Sequence, residues 1–540
     1  MFQFDQCNRR KSNERRLMKT VLSLITALAL VITMLPAGNV KVHAAVGDEV
    51  TKGTCGANLT WALTVNGEDI EGITPMTLTI SGMGNMDTYT NMQGGNFAPW
   101  SSYRDSITEI SLPDGITSIG QSAFWKCSRL TRVSIPDSVT EIGIGAFQEC
   151  RSLSSVTFGS GLTRISSVAF VLCGLRSVTI PDSVDFIGSG AFAGNGNLTG
   201  VNIGKNTSAL TWGNAFYDAG YSCPSLTAIE VDPDNTAYST EDGVLFNKHK
   251  TKLEYYPSGK EDYTYTIPDT VTEIRPYAFT SAINLSLLVV PGNVKKIGAC
   301  AFLNVPVQPI LREGVEEIES STYYPTIQFS IASPSAYLLP SSLKKIGSNA
   351  FGVFGDGTIL ISGEEVEFGR NPFRDSTGGL SFTGTIYAPA TVECDNLNNL
   401  EYNIVYICKA PVVSQQHHVY SGNPITHLDL SANGGYVTDP SSVNTAVDKG
   451  DYTVKLSLKA DYQVNGHSVS YVWGDVSKPY TWTSASDKED KVYDWSIGEP
   501  LPTSGTAGGC TWSLSDDNKT LTISKSADGD GKLPDYQSPW

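Results

Sequence analysis

Apolar side chains recur at a fixed interval along the middle of the chain, from residue 107 onward. Four successive segments share one pattern with a period of 22 to 23 residues: ITEISLPDGITSIGQSAFWKCSR, LTRVSIPDSVTEIGIGAFQECRS, LSSVTFGSGLTRISSVAFVLCG and LRSVTIPDSVDFIGSGAFAGNGN. An Ala-Phe pair marks the units, at positions 123/124, 146/147, 169/170, 191/192, 215/216, 278/279, 301/302 and 350/351. This regularity predicts a stacked-repeat architecture.

Each unit predicts two short strands and an aromatic side chain in the core. In the second unit, Leu130, Val133 and Ile135 are spaced so that a strand turns them inward. Pro136 ends that strand because proline has no N–H for the ladder, and Val139 opens a second apolar edge. One unit buries too little apolar surface to be stable alone, so stacked units must share a continuous core and a parallel sheet. The predicted fold class is therefore mainly β, with a solenoid at its centre.

The second unit, LTRVSIPDSVTEIGIGAFQEC, closely resembles the BspA-like leucine-rich repeats of bacterial surface proteins. The resemblance covers residues 107–409 and implies a leucine-rich-repeat solenoid. The sequence departs from the family pattern at Gly159-Ser160, where Pro-Asp is usual. It departs again over residues 313–335, where a repeat is either elaborated or decayed. After residue 373 the repeats are expected to end in a terminal unit that closes the core.

The Ala-Phe pair disappears between Phe216 and Phe279, which leaves room for an insertion at residues 231–268. Strands at 243–246 and 252–256 are predicted to form a hairpin there. Its tyrosines either present a contact face to a partner or cover the hairpin's own small core, and the second role is the expected one. These tyrosines are Tyr238, Tyr255, Tyr256, Tyr263 and Tyr265.

A small β module is predicted at residues 45–106, and part of its sequence recurs at residues 500–540. Residues 60–64, 77–81 and 99–100 correspond to 511–515, 520–524 and 539–540. Trp61 is expected to pack on Trp100, with sugar stacking as the alternative role for these rings. Because the first copy leads directly into a repeat, residues 500–540 are interpreted as an incomplete module, poorly ordered, that would introduce a second solenoid.

Residues 410–499 alternate apolar and polar side chains in short runs, which predicts the strands of a small β-sandwich. The segments VDKGDYTVKLSLKADYQV and DKVYDWSIGEP resemble bacterial Ig-like modules that space out surface proteins. The resemblance implies an Ig-like sandwich between the solenoid and the second β module.

Residues 1–44 have the features of a signal peptide. Basic residues precede an apolar run over 21–35, and Val42-His43-Ala44 offers a small-residue cleavage site. The run is shorter than the ~20 apolar residues that span a bilayer, so cleavage is expected. A retained membrane anchor is the alternative. Export to the outside of the cell or to its surface is the expected localisation, without membrane insertion after cleavage.

The formal charge of −17 and the isoelectric point near 4.8 argue against nucleic acid as a partner, because its phosphates would be repelled. Ten cysteines in an exported chain invite a disulfide interpretation. However, Cys127, Cys150 and Cys173 are 23 residues apart and so occupy one position of the repeat. Buried free thiols are the expected state, with bridges between neighbouring repeats left open.

No catalytic pattern is present. The histidines after the signal peptide show no HExxH spacing and no cysteine partner at zinc-ligand spacing, and no GxSxG turn occurs. An Asp528-x-Asp530-Gly531 sequence lacks the later ligands of a calcium loop and is interpreted as a turn. We expect neither enzymatic activity nor a cofactor or metal.

The polar residues that interleave with the inward apolar set should line one face of the solenoid sheet. Such a flat face suits a broad protein or glycan contact better than a deep small-molecule pocket. The predicted partner-binding residues are Arg132, Ser134, Ser155, Thr157, Arg176, Ser177 and Thr179.

The resemblance implies adhesion to host, matrix or neighbouring-cell proteins, or to glycans, by a noncatalytic protein that we expect to be a monomer. Two alternatives are kept. One is the accessory binding region of a larger surface hydrolase whose catalytic domain would lie beyond residue 540. The other is a purely structural stalk.

Overall fold

The structure is a computed structural model, and it describes residues 45–69, 72–90, 95–210, 215–217, 220–320, 327–330, 336–373, 384–393, 403–413, 417–419, 421–428, 430, 435–464, 467–474, 476, 478–498, 504–507, 510–514 and 521–525. The predicted signal peptide therefore lies outside the described residues. The chain divides into two compact units, Met1–Lys248 with Pro257–Lys260 (unit 1) and His249–Tyr256 with Glu261–Trp540 (unit 2).

Unit 1 contains seventeen of the described strands and one short 3-10 helix, Ser101–Tyr103. The strands are β1 (Glu49–Gly56), β2 (Leu59–Val65), β3 (Met76–Gly82), β4 (Gly84–Asn85), β5 (Ile107–Ser111), β6 (Ile116–Ile119), β7 (Arg132–Ser134), β8 (Glu141–Ile142), β9 (Ser155–Thr157), β10 (Arg164–Ile165), β11 (Ser177–Thr179), β12 (Phe186–Ile187), β13 (Gly200–Ile203), β14 (Ala209–Leu210), β15 (Ala228–Val231), β16 (Tyr238–Glu241) and β17 (Val244–Asn247).

Unit 2 contains the remaining described strands and the 3-10 helices Ala390–Val392 and Pro479–Ser484. The strands are β18 (Lys252–Tyr255), β19 (Thr264–Thr266), β20 (Glu273–Ile274), β21 (Leu287–Val290), β22 (Lys296–Ile297), β23 (Ile310–Leu311), β24 (Glu317–Ile318), β25 (Ile327–Ser330), β26 (Ala336–Leu339), β27 (Lys345–Ile346), β28 (Phe351–Phe354), β29 (Thr358–Ile361), β30 (Glu367–Phe368), β31 (Thr385–Pro389), β32 (Asn403–Cys408), β33 (His417–Val419), β34 (Ile425–Thr426), β35 (Tyr436–Thr438), β36 (Thr445–Ala446), β37 (Gly450–Leu458), β38 (Tyr462–Val464), β39 (His467–Trp473), β40 (Lys491–Gly498), β41 (Ser504–Ala507), β42 (Cys510–Leu514) and β43 (Leu521–Lys525).

The repeats of unit 1 stack in parallel, as the sequence predicts. The first strands of successive repeats form the pairs β7–β9 and β11–β13–β15, and the second strands form one sheet in the order β4-β6-β8-β10-β12-β14. Inward residues such as Leu130, Val133 and Ile135 are almost fully buried. The core of the unit therefore lies between these two series of short strands.

The Ala-Phe pairs of unit 1 form a continuous aromatic stack. Phe124, Phe147, Phe170, Phe192 and Phe216 follow one another with ring centroids 5.0, 5.1, 5.7 and 6.3 Å apart. The backbone nitrogen of each phenylalanine from Phe124 to Phe192 donates to the carbonyl oxygen of the alanine in the next repeat at 2.8 Å. Each repeat is thus held to its neighbour by both a ring contact and a main-chain hydrogen bond.

In the repeats where it is described, the residue before the alanine of the Ala-Phe pair has a left-handed backbone. Gly145 and Gly190 occupy this position in two repeats, at φ of 59° and 63°. Val168 occupies it in another at φ 51°, although a β-branched side chain is strained there. Packing of the adjacent Ala-Phe pair must therefore outweigh local backbone preference at Val168.

The module at residues 45–106 forms the first layers of the solenoid. Strands β1, β2 and β3 are antiparallel, and β3 then pairs in parallel with β5, the first strand of the repeats. Trp61 packs edge-on against Trp100 at 5.7 Å, which confirms that expectation. Trp100 in turn stacks on Phe124 at 5.8 Å and heads the aromatic stack. The module closes the N-terminal end of the core.

The predicted insertion at 231–268 contains strands at both expected positions, β17 and β18, and a further strand, β16, precedes them in the same sheet. Strand β16 pairs antiparallel with β17, whereas β18 pairs in parallel with β20 of the repeats. Tyr256 stacks on Phe279 at 5.2 Å, and its backbone nitrogen donates to the carbonyl of Ala278 at 2.7 Å. Tyr256 thus takes the phenylalanine position, so residues 249–268 contain a repeat that the Ala-Phe pattern does not predict.

The irregular stretch 313–335 keeps its place in the stack. Strand β24 lies between β22 and β27 in a parallel sheet, and β25 pairs in parallel with β28. The unit is an elaborated repeat rather than a decayed one.

The second sheet of unit 2 carries alternating charges at one register position. Across β18, β20, β22, β24, β27 and β30 the paired residues are Lys252, Glu273, Lys296, Glu317, Lys345 and Glu367. Nζ–carboxylate distances of 2.8 Å for Lys252–Glu273, 3.9 Å for Lys296–Glu317 and 3.1 Å for Lys345–Glu317 mark ion pairs along this charge ladder. Opposite charges at adjacent positions favour this register over a slipped one.

The region 410–499 is joined to the solenoid. Strand β39 pairs in parallel with β32, which extends the sheet β26-β29-β31-β32-β39-β38 past the predicted boundary at residue 410. The other strands form the sheets β33-β40-β37-β35 and β34-β36, in which β33 and β40 are parallel. An Ig-like sandwich has antiparallel sheets. The Ig-like assignment thus finds no specific support in the described strands and stays a prediction.

The sequence duplication at 500–540 has the same strand register in both copies. Thr60, Trp61 and Leu63 pair with Ser81, Ile80 and Leu78. The corresponding residues Thr511, Trp512 and Leu514 pair with Ser524, Ile523 and Leu521. Trp540 lies outside the described residues, so the incomplete-module interpretation stays a prediction.

Among the described residues, no helix has the length and apolar character needed to cross a membrane.

Candidate binding surface

The outward face of the first strands of unit 1 is defined here by the residues at two register positions. Arg132 and Ser134 on β7 pair with Ser155 and Thr157 on β9. On the next pair, Ser177 and Thr179 of β11 lie opposite Gly200 and Asn202 of β13. The residues between them, such as Val133 and Val178, are buried. Strand alternation therefore separates a core side from a solvent side.

Six of the seven predicted partner-binding residues lie on this outward face, and all six are exposed: Arg132, Ser134, Ser155, Thr157, Ser177 and Thr179. The face consists mainly of small hydroxyl side chains. Arg132 forms a long ion pair on it with Glu109, with 4.0 Å between the guanidinium and the carboxylate. Such a surface can offer many hydrogen bonds at low desolvation cost. Its role in binding stays a prediction.

Arg176, the seventh predicted residue, is exposed but belongs to a different row. It precedes β11 by one residue, and its carbonyl oxygen accepts hydrogen bonds from the backbone nitrogen and Oγ1 of Thr199 at 3.0 and 3.1 Å. Because adjacent residues on a strand point to opposite sides, Arg176 and Ser177 cannot both extend the outward face. Arg176 lies in the turn at its border.

The aromatic residues considered as contact points are mostly internal. Trp61 and Trp100 are 6% and 1% exposed, so their rings cannot stack on a sugar. Tyr238, Tyr255 and Tyr256 are buried, whereas Tyr263 is 74% exposed. The tyrosines thus mainly cover the core, which was the expected role.

Seven cysteines are free and buried in the described structure: Cys55, Cys127, Cys150, Cys173, Cys223, Cys300 and Cys408. The Sγ atoms of Cys150 and Cys173 each donate to a phenylalanine carbonyl, Phe124 and Phe147 respectively, at 3.1 Å. Asn195 takes the same position in the next repeat, where its Nδ2 donates to Phe170 at 2.9 Å. Burial raises the pKa of Cys223, at this position in a later repeat, to about 12. These thiols act as internal hydrogen-bond donors and are shielded from reaction.

The histidines in the described residues do not form a metal centre. His418 Nε2 and His427 Nδ1 are 3.3 Å apart, and the His427 ring lies parallel to Trp495 at 5.1 Å. Burial, together with the nearby His418, lowers the pKa of His427. Among the described residues, no group of three histidine, cysteine, aspartate or glutamate side chains could hold a metal ion.

A cleft in unit 2 has a volume of about 310 Å³ and lies between β31, β32 and residues 409–412. Its lining offers Glu364 and Lys409 as the charged residues, next to Pro389, Ile407 and other apolar side chains. The lining also contains Thr391, whose hydroxyl donates a hydrogen bond to the carbonyl oxygen of Glu364 at 2.7 Å.

Comparison with known proteins identifies the repeats. Residues 101–237 and 260–378 match the BspA type leucine rich repeat region, in six copies. The comparison with curated proteins gave no match.

Several solved structures are similar to this chain. A leucine-rich repeat protein from Eubacterium ventriosum is 24% identical, with 67% of this chain and 85% of that chain covered and a TM-score of 0.45. The pneumococcal vaccine antigen PcpA is 18% identical, with 67% and 99% covered and a TM-score of 0.37. A leucine rich cell surface protein from Faecalibacterium prausnitzii is 24% identical, with 57% and 95% covered and a TM-score of 0.33.

The parallel stack of short strands, its aromatic core and the repeat match agree with one another. The repeat region of this chain, residues 101–237 and 260–378, is a leucine-rich-repeat solenoid that matches the BspA type.

Proposed function

We propose that this chain is an exported, noncatalytic surface protein that binds extracellular proteins or glycans through the outward face of its solenoid. The partners would be host, matrix or neighbouring-cell molecules. The signal-peptide features of residues 1–44 support export. The repeat family supports a binding role rather than a catalytic one.

The observation that carries the proposal is the outward face itself. Its hydroxyl side chains repeat in register on consecutive strands, so a partner meets the same chemistry at intervals of one strand spacing, about 4.8 Å. A row of exposed hydroxyls such as Ser134, Thr157 and Thr179 does not contribute to the core, so burial alone does not explain it. A shallow surface of this kind suits a broad contact.

The test uses a matched pair of substitutions in the full exported chain. Thr157→Arg changes the outward face, whereas Thr163→Arg places the same bulk and charge on an exposed residue beside β10, in the second sheet. Binding is measured by biosensor against a panel of purified matrix proteins and arrayed glycans. We expect Thr157→Arg to weaken binding at least tenfold and Thr163→Arg to leave it unchanged, with equal melting temperatures.

Two results would contradict the proposal. Equal binding by both variants and the unchanged chain would place the contact elsewhere. Absence of any saturable ligand on the panel would favour a purely structural stalk.

A further inference from the structure

Two histidines connect the two small sheets of residues 417–498. His418 lies on β33, in the sheet β33-β40-β37-β35, and His427 directly follows β34, in the sheet β34-β36. Their rings are perpendicular, and Nε2 of His418 lies 3.3 Å from Nδ1 of His427. Both rings contact that of Trp495 on β40, with ring centroids 5.5 Å apart for His418 and 5.1 Å apart for His427. The three rings form what we call the histidine cluster.

Hydrogen bonding assigns the hydrogens of the pair. A neutral imidazole has one N–H and one lone pair, so one of the two facing nitrogens must donate and the other must accept. Nε2 of His427 is buried, and no group in the described part of the chain lies within hydrogen-bond distance of it. A hydrogen on that atom would be an unsatisfied buried donor. The network therefore assigns the hydrogen of His427 to Nδ1, which donates to Nε2 of His418.

This arrangement cannot take up a proton without loss. A proton on Nε2 of His427 places a charged N–H in a buried position that has no acceptor. A proton on Nε2 of His418 sets two N–H groups face to face at 3.3 Å, unless the hydrogen of His427 moves to the same buried nitrogen. Each route leaves an N–H group without an acceptor. In agreement, burial and the nearby His418 lower the pKa of His427.

Among the described residues of β37 and β40, no carboxylate shares the face of the cluster. Tyr452 and Tyr493 lie on the same face as Trp495 by strand alternation, and the ring of Tyr452 is 4.9 Å from that of Trp495. The two tyrosine hydroxyls donate to the carbonyl oxygens of Asp448 and Pro411 at 2.7 and 3.0 Å.

The charged residues of the neighbouring elements are placed elsewhere. Lys491, at the start of β40, is paired with Asp487 at 2.6 Å. The others lie on the opposite face of β37 and β40 or between β36 and β37: Asp451, Lys455, Asp494, Asp448 and Lys449. A positive charge on the cluster therefore meets no carboxylate from these strand faces that would stabilise it.

We infer that the His418–His427 pair is an acid-sensitive latch, which holds the two sheets together near neutral pH and releases them when it takes up a proton. In the unfolded segment a histidine takes up a proton near pH 6.5, whereas the pKa of His427 in the folded protein is lower. The stability that the latch contributes is therefore complete above pH 6.5 and is lost as pH falls from there through the folded pKa. The inference is independent of the proposed binding function.

Hydrogen exchange of the full chain tests the latch. Exchange is followed by mass spectrometry at pH 7.5 and pH 5.0 and corrected for the pH dependence of the intrinsic rate. In the unchanged chain, we expect peptides from residues 417–428 to lose protection at least tenfold at pH 5.0, while β7 and β9 of the solenoid keep theirs.

Two variants remove the titrating ring of His427. His427→Phe keeps a ring against Trp495, and His427→Asn keeps an amide that can either donate to His418 or accept from it. Each should lose less than about twofold in protection at pH 5.0. His467→Gln is the matched control, because β39 pairs with β32 and β38 rather than with β33 or β40, and it should follow the unchanged chain.

Three results would overturn the latch. They are full protection of residues 417–428 at pH 5.0 in the unchanged chain, an equal acid loss in both His427 variants, and a loss that extends to β7 and β9. If both variants are unprotected already at pH 7.5, nitrogen NMR of the histidine-labelled unchanged chain decides. The latch predicts the hydrogen of His427 on Nδ1 at pH 7.5, and a hydrogen on Nε2 would contradict it.

Discussion

The indole Nε1 of Trp100 donates a hydrogen bond to the carbonyl oxygen of Ala123 at 2.8 Å. In each of the next repeats the equivalent alanine carbonyl receives a backbone nitrogen instead, as Ala146 does from Phe124 at 2.8 Å. The ring of Trp100 also stacks on Phe124. The Trp100 side chain thus replaces both the phenylalanine ring and the backbone N–H donor that a preceding repeat would supply. This explains how the first repeat is held without a repeat before it.

Substitutions at Trp100 should separate these two roles. Trp100→Phe keeps the stack but leaves the buried Ala123 carbonyl without its donor, which should lower the free energy of unfolding by about 1–3 kcal/mol. Trp100→Ala also removes the ring and should cost about 3–5 kcal/mol. Denaturant unfolding measured by circular dichroism gives both values. Equal midpoints for Trp100→Phe and Trp100→Ala would show that the ring contact contributes nothing.

Asn195 should be replaceable by cysteine but not by alanine. Its amide bonds to the carbonyl oxygens of Phe170 and Phe192 at 2.9 and 2.7 Å, and its Oδ1 accepts from the backbone nitrogen of Leu175 at 3.2 Å. Asn195→Ala leaves these buried groups without partners and should cost about 2–4 kcal/mol, since each such group costs about 1–3 kcal/mol.

Asn195→Cys should cost less stability. In the preceding and following repeats this position carries Cys173 and Cys223, and each thiol donates to a phenylalanine carbonyl oxygen. Thermal unfolding of the two variants side by side measures the difference. An alanine variant as stable as the cysteine variant would contradict the role of the position as a donor.

The cysteines of the stack should be reduced and unreactive in the folded protein. Burial, with a smaller contribution from Asp87, raises the pKa of Cys55 to about 11, and burial raises that of Cys223 to about 12, so neither forms a thiolate near neutral pH. Titration with a thiol reagent should label neither residue before denaturant is added, and both afterwards. Mass spectrometry that shows two mass units missing per pair of Cys127, Cys150 and Cys173 would favour bridged repeats instead.

The charge ladder should make unit 2 lose stability in acid. Burial alone would raise the pKa of Glu273, but hydrogen bonds from Lys252 and Arg275 outweigh it and lower that pKa. A carboxyl with a lowered pKa in the folded state contributes stability above its unfolded pKa of about 4.3, and this contribution is lost as pH falls through the folded pKa.

Glu273→Gln does not titrate, so its unfolding free energy should fall less between pH 6 and pH 3 than that of the unchanged chain. Glu367→Gln, at the exposed end of the ladder, is the matched control and should follow the unchanged chain. If Glu273→Gln shows the full loss of stability in acid, the ladder is not responsible for it.

The repeats could be predicted because their chemistry is local. Leu130, Val133 and Ile135 are inward by alternation, and an Ala-Phe pair at a fixed interval indicates a shared core position. The Ala-Phe pattern does not predict the position of Tyr256, because Tyr255 stands in place of the alanine, although Tyr256 precedes Phe279 by 23 residues, one full period. An aromatic residue at that interval is the signal that could have found it.

The pairing of strands that are distant in the sequence could not be predicted. The alternation in residues 467–473 predicts a strand, but no local pattern shows that Val469 pairs with Ile404 of the solenoid. The position of Arg176 shows that strand alternation predicts outward residues only when the strand boundary is known. Because β11 begins at Ser177, Arg176 lies one residue before the strand and off the outward face.

The most direct test of the outward face as a binding surface is site-specific photo-crosslinking. A photoreactive phenylalanine analogue is placed at residue 157 on the outward face, or at residue 163 beside β10, in the full chain. The variant is then irradiated with a ligand identified on the matrix panel. The account predicts a covalent adduct with that ligand from position 157 and none from position 163. An adduct from position 163 alone would contradict it.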